Sequence, residues 1–363
     1  MEKKLNKKLG FGCMRLPLID GLVDLEEFQK MVDIYMSNGF NYFDTARVYI
    51  GGDSEKAIRE CVVHKYDRES FFLTDKLSGS CFEKEEDVIP FFNSQLEVLD
   101  TTYFDYYLMH AQNRNNYVKF MNCHAYDIAK KLKEEGKIKH IGISFHDTKE
   151  VLEKILNEHP EIEVVQIQFN YLDFYSPSIQ SKELYDLLES RGIDVLIMEP
   201  VKGGRLVNLG EAEKIFKELD PNLSNASYAI RFAASFKNVI QVLSGMSNVE
   251  QMLDNISYMK DFKPLSDIEF KAIDDVRQIL YQSTEIPCTN CRYCVPGCPK
   301  QILIPALFKA YNESIKGEFK EDYHELFDGH IASLCIKCGK CEKICPQHLK
   351  VRDLLNKVKY VFE

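Results

Sequence analysis

Residues 40–76 read FNYFDTARVYIGGDSEKAIRECVVHKYDRESFFLTDK. A short aromatic run (FNYFDT) gives way to an amphipathic stretch (SEKAIRECVVH) and then to a second apolar run (SFFLTDK), the alternation expected of parallel strands joined by helical crossovers. The same unit recurs along the chain. The strand candidates are LGFGCM (9–14), the two just quoted, FDYYLMH (104–110), IKHIGIS (138–144), EVVQIQF (163–169), IDVLIM (193–198) and NVIQVLS (238–244), each followed by a helical segment such as SNVEQMLDNISYM. Eight strand–helix units closing on themselves predict an α/β fold, a TIM (β/α)8 barrel. Beyond Phe262, the segment PLSDIEFKAIDDVRQILYQ has Ser266 at an N-cap position, an acidic first turn and apolar spacing, and reads as a connecting helix. The expected division is a barrel over 1–262, a connecting helix over 263–285 and a small, mostly helical domain over 286–363.

That last domain carries one cysteine run twice: Cys288, Cys291, Cys294, Cys298 before Pro299, and Cys335, Cys338, Cys341, Cys345 before Pro346. This C-x2-C-x2-C-x3-C-P spacing suits cubane iron–sulfur clusters, because three thiolates three positions apart wrap one cube and each take an iron corner. In two-cluster ferredoxins the fourth cysteine of each run serves the other cluster. The pairing implied here is Cys298 with Cys335, Cys338 and Cys341, and Cys345 with Cys288, Cys291 and Cys294. Structural zinc is the plainer alternative, but zinc sites favour two C-x2-C pairs separated by a dozen or more residues. Disulfides need an oxidising compartment, and the opening MEKKLNKKLGFG has no apolar core with a cleavage site. The expected location is cytoplasmic. The scattered Cys13, Cys61, Cys81 and Cys123 read as free thiols, buried by default.

With 46 Lys and Arg against 56 Asp and Glu, the net charge of −10 gives no basic footprint for nucleic acid. No apolar run approaches eighteen residues, so no membrane span is expected. The partners expected are a small molecule and a redox protein.

Barrel chemistry sits where strands end and βα loops begin. There the sequence places Asp44, with Tyr49 five residues on, Lys76 at the end of FFLTDK, and His110 at the end of YYLMH. Each alone could be a satisfied core group; together they form a set. In these local contexts the four resemble the catalytic tetrad of the aldo/keto reductases. The opening KLGFGCMRLP resembles that family's first strand, and IGIS, VVQIQFNY, EPVKGG and SNVEQMLDN resemble its later cofactor-binding segments. The resemblance covers about residues 5–262. The whole chain is similar to the subgroup with a C-terminal ferredoxin module, and the helical spacer between the cysteine runs resembles helical ferredoxins.

The chemistry fits the residues. A carbonyl accepting hydride develops alkoxide charge and needs a proton donor, and a phenol is a weak one unless tuned. Lys76 would tune Tyr49, Asp44 would hold Lys76 charged and oriented, and His110 would place the carbonyl oxygen. The resemblance assigns Ser144 and Gln166 to a nicotinamide carboxamide, puts Met198 where the family stacks a tyrosine, and sets Phe145 where asparagine is usual. Lys202, Gly203 and Gly204 follow strand seven, where charge and backbone amides would approach a pyrophosphate, a tight Gly-Gly turn being the alternative. The resemblance makes Asn255 an expected adenine contact. Gly245 and Gln251 stand where cations for a 2′-phosphate would be expected, so NAD(H) is at least as well supported as NADP(H). Gly10 and Gly12 lack the third glycine of a Rossmann turn.

The leading expectation is an oxidoreductase that reduces a carbonyl or oxidises an alcohol, with two [4Fe-4S] clusters for electron transfer. Hydride carries two electrons and a cubane passes one, so a flavin converter or a substrate radical is also expected. The alternatives are a nicotinamide enzyme with structural or redox-sensing clusters, and an electron-transfer protein whose barrel is a docking scaffold.

Overall fold

The computed structural model describes residues 4, 5, 7–282 and 285–363. All eight expected strands are present: β1 (Leu9–Gly12), β2 (Tyr42–Asp44), β3 (Phe72–Leu77), β4 (Phe104–Gln112), β5 (Ile138–Phe145), β6 (Val164–Gln168), β7 (Asp194–Met198) and β8 (Val239–Ser244). Each pairs in parallel with the next, and β8 returns to β1 to close the barrel. Strands covered by helices on one side and by each other's side chains on the other have no wet face, and β3 is buried at all six positions. Inside, Tyr42, Leu108, Val164, Leu196 and Leu243 form their own apolar cluster. This plug leaves polar side chains to the strand ends above it.

Register sets their heights. Gly12 lies opposite Asp44, Lys76 opposite Leu108, Ser144 opposite Gln166, and Gln168 opposite Met198. The polar ends therefore rise to one rim.

Two features departed from expectation. Leu18–Ile19 and Leu22–Val23 form an antiparallel hairpin through Asp20 and Gly21, at φ 52° and 83°. The Asp-Gly pair between apolar dipeptides is the signal that would have found it. The segment SEKAIRECVVH begins as an α-helix over Asp53–Ile58 but continues as a π-helical turn over Arg59–Val63.

The helix Asp267–Tyr281 starts in a capping box of Ser266 and Glu269 and buries Ala272, Ile273 and Val276 in the barrel's outer core. It thus runs along the barrel rather than away from it. Residues 283 and 284 of the expected connecting segment lie outside the described residues. A second core follows, where helices Ile304–Ile315 and Val351–Phe362 bring together Leu307, Phe308, Leu355 and Val358. Among the described residues no helix is long and apolar enough to cross a membrane.

This second core sits on the barrel mouth. Arg15 Nη2 donates to the Thr289 carbonyl at 2.7 Å. Gly203, at φ 64°, packs so close that a Cβ there would lie 2.6 Å from the Thr289 oxygen. Tyr281 donates its hydroxyl proton to the Leu172 carbonyl at 2.7 Å.

Candidate active site

Asp44 and Lys76 end neighbouring strands. Lys76 Nζ lies 2.6 Å from Asp44 Oδ1 and 2.7 Å from the Thr45 carbonyl it donates to, with no exposed surface. Gln166 Nε2 donates to the other Asp44 oxygen at 3.1 Å. Burial raises the Asp44 carboxyl, while Lys76 and Gln166 pull it back. Lys76 Nζ also stands 4.8 Å over the Tyr49 ring. The His110 ring meets that of Tyr49 edge-on, with centroids 6.0 Å apart. Its Nδ1 lies 2.6 Å from Ser78 Oγ. Burial, with Lys76 next, holds the His110 imidazolium well below the usual range, so the ring is neutral near pH 7.

Burial, followed by the Asp44 charge, pushes the Tyr49 phenol well above an ordinary phenol. Asp44 offsets the lysine's charge, so Tyr49 holds its proton.

Asp44, Tyr49, His110, Ser144, Gln166, Met198, Gly203, Gly204 and Asn255 line one cavity of about 520 Å³. Lys76 lies beneath it. Ser144 Oγ accepts from the Ala111 amide at 2.7 Å and keeps its own proton to donate. Asn255 Nδ2 donates to Ser244 Oγ at 2.7 Å. The far end of the cavity carries Gln251 between the acidic Glu250 and Asp254.

Lys202 departs from expectation. It does not reach the cavity; its Nζ contacts both Asp173 oxygens at 2.5 and 2.6 Å and donates to Gln347 Oε1 at 3.1 Å. Gln168 Nε2 donates to the same Asp173 and to Gln347. A buried lysine needs a carboxylate, and Asp173 supplies it. Lys202 instead anchors the C-terminal domain, whereas Gly203, Gly204 and the cationic Arg15 stand on the cavity wall. Glu199, Arg15, His146 and Tyr293 also line the cavity and were missed. Glu199 stood in the quoted EPVKGG, but no spacing rule singles it out. Tyr293 could be found solely by knowing how the two domains meet.

The cysteines fall into two sets. Cys288, Cys291, Cys294 and Cys345 surround one small void; Cys298, Cys335, Cys338 and Cys341 surround another. Each set takes its fourth member from the other run, as the crossed pairing requires. Burial pushes the Cys291 and Cys294 thiols up to about 11 and about 12, so thiolates here call for a cation to displace the proton. Four sulfur donors around a void match a cubane's demand for one thiolate per iron corner. Of the other cysteines, Cys13, Cys61 and Cys123 are buried and Cys81 is partly so.

Residues 8–278 match the model of the aldo/keto reductase family, and residues 287–349 match that of a 4Fe-4S dicluster domain. The chain belongs to the aldo/keto reductase family and is an oxidoreductase with an iron–sulfur domain. An uncharacterized oxidoreductase, YqkF, of Bacillus subtilis is 23% identical over 76% of this chain and 94% of its own. L-galactose dehydrogenase of Arabidopsis thaliana is 24% identical over 75% and 90%. Among solved structures, the holo aldo-keto reductase AKR11C1 from Bacillus halodurans superposes with a TM-score of 0.60 at 23% identity, covering 74% of this chain and 91% of that one. An aldo/keto reductase from Klebsiella pneumoniae, crystallised with NADP and acetate, gives 0.61 at 16% identity over 76% and 96%.

Proposed function

We propose that the barrel reduces a small carbonyl compound, or oxidises the matching alcohol, with NAD(H) in the cavity that runs from Tyr49 to the helix Val249–Met259, and that the two [4Fe-4S] clusters serve electron transfer. The observation carrying this reading is the buried Lys76–Asp44 pair beneath a protonated Tyr49, with neutral His110 beside it.

Tyr49 is the acid in reduction and the base in oxidation. Burial makes it a weaker acid than a free phenol, which keeps the proton in place until alkoxide charge develops at the carbonyl oxygen, when transfer becomes favourable. Lys76, over the ring face, offsets the negative charge that transfer leaves on Tyr49, and Asp44 keeps Lys76 fixed. We assign the His110 proton to Nε2, since Nδ1 accepts from Ser78. Nε2–H is then the donor left to orient the carbonyl.

When bound, the nicotinamide supplies the hydride. Ser144 retains a hydroxyl proton and Gln166 a free carbonyl oxygen, the complementary pair a carboxamide needs. Met198 lines the same cavity, Gly203, Gly204 and Arg15 would hold the pyrophosphate, and Asn255 would meet the adenine. Glu250 and Asp254 at that end repel a 2′-phosphate, favouring NAD(H). The flavin suggested by electron count has no observation behind it.

Cys288, Cys291, Cys294 and Cys345 hold one cluster, and Cys298, Cys335, Cys338 and Cys341 the other. Cys338 is exposed, with exposed Ile336 and Ile344 nearby, so the second set faces outward where a redox-protein partner would dock. Free thiols and clusters suit a reducing compartment such as the cytoplasm.

Titrating anaerobic protein with NADH and NADPH, followed by aldehyde turnover, tests the assignment. NADH should bind at least as tightly as NADPH. A preference for NADPH of about a hundredfold, or about 2.7 kcal/mol, would overturn the acidic-end argument.

A further inference from the structure

The geometry points to Tyr293 as a substrate-contacting residue, which makes the iron–sulfur domain one wall of the carbonyl pocket. The inference rests on the carbonyl-reductase reading and adds a residue to it.

Tyr293 lies between Cys291 and Cys294, far from the barrel in sequence. Yet Cys291, Tyr293 and Pro346 line the same cavity as Tyr49 and His110. The loop that presents Tyr293 is held on several sides. Its start is fixed by Arg15 on the Thr289 carbonyl and by the close packing of Gly203 against the same residue. Asn290 and Arg292 adopt left-handed conformations, φ 53° and 64°, which turn the backbone sharply on either side of Cys291. Opposite, Gln347 is gripped by Lys202 and Gln168, which seats Pro346 at the cavity edge. A pocket wall built this way is rigid rather than a mobile flap.

Tyr293 and Tyr49 line the same cavity, so the two phenols face one shared space. A tyrosine there offers a flat apolar face with a polar tip. Pro346 and His146 belong to the same lining. This wall fits a carbonyl compound with a flat apolar or aromatic body, its oxygen directed to Tyr49 and His110.

The test uses the full cluster-loaded chain under anaerobic conditions, with NADH and two substrates, benzaldehyde and propanal. Tyr293→Ala should raise KM for benzaldehyde by about tenfold, leave kcat within about threefold and narrow the preference for benzaldehyde over propanal, because an aromatic contact contributes to binding rather than to bond making. Iron content, cluster absorbance and NADH affinity should match the wild type. Tyr293→Phe keeps the ring and should keep the preference for benzaldehyde. Should the alanine variant lose iron, Tyr293→Leu carries the same comparison with the loop filled. Unchanged KM and preference in an iron-replete Tyr293→Ala or Tyr293→Leu protein would overturn the assignment while leaving the tetrad reading intact. A wild type that reduces neither aldehyde with NADH would instead overturn the carbonyl-reductase reading, and this inference with it.

Discussion

Lys76 has no exposed surface and neutralises Asp44 at 2.6 Å. Removing one partner of such a pair strands the other charge, so Lys76→Met should lose carbonyl reduction and about 3 kcal/mol of stability in urea unfolding. Wild-type stability in that variant would contradict the weight given to the pair. His110 gives a pH prediction. Its imidazole is held well below the usual range, so the neutral, donating form persists as pH falls through about 6.5, where a free histidine would gain a proton. Tyr49 is pushed the other way, so its acid form persists as pH rises toward about 10. The profile of kcat/KM for reduction should be flat from about pH 6 to 9; a break near 6.5 that His110→Asn removes would contradict the neutral histidine. All four residues were legible because each sits at or just after a strand end, and strand register fixes height. Lys202 was not, since its partners Asp173 and Gln347 lie 29 and 145 positions away. Local spacing carries no information about the contact with Gln347, which is made only when the domains dock.

The cysteine runs were the most legible elements, because cluster geometry constrains short spacing so tightly. The crossed grouping makes a specific claim about loops. Cys298→Ala should remove one cluster, about four of eight irons, and Cys298→Ala with Cys335→Ala should remove no more, whereas Cys298→Ala with Cys288→Ala should remove both. Iron analysis and electron paramagnetic resonance of the reduced proteins distinguish these. Loss of both clusters from the Cys298/Cys335 pair would indicate ligation within each run. The capped helix Asp267–Tyr281 was readable from Ser266, its acidic first turn and apolar spacing. The π-helical turn at Arg59–Val63 was not, since it shares the apolar pattern of the helix before it.

The two domains share a cavity rather than a mere linker. Cys291 and Tyr293 complete a pocket whose other walls come from the barrel, and Arg15, Gly203 and Lys202 hold the seam. The sequence indicated both domains and the helix between them, yet not their seating, because interfaces between domains leave no periodic trace. In the proposed reading, Cys291 of the first cysteine set stands at the wall of the cavity that holds Tyr49. What the whole arrangement stands or falls on is proton donation by Tyr49 to a carbonyl. Anaerobic aldehyde reduction by NADH should therefore be compared in cluster-loaded wild type and Tyr49→Phe. The account predicts a loss of kcat of about a thousandfold or more with NADH affinity within about threefold, since the variant lacks the proton donor and little else; Tyr49→Phe turning over at the wild-type rate would contradict it.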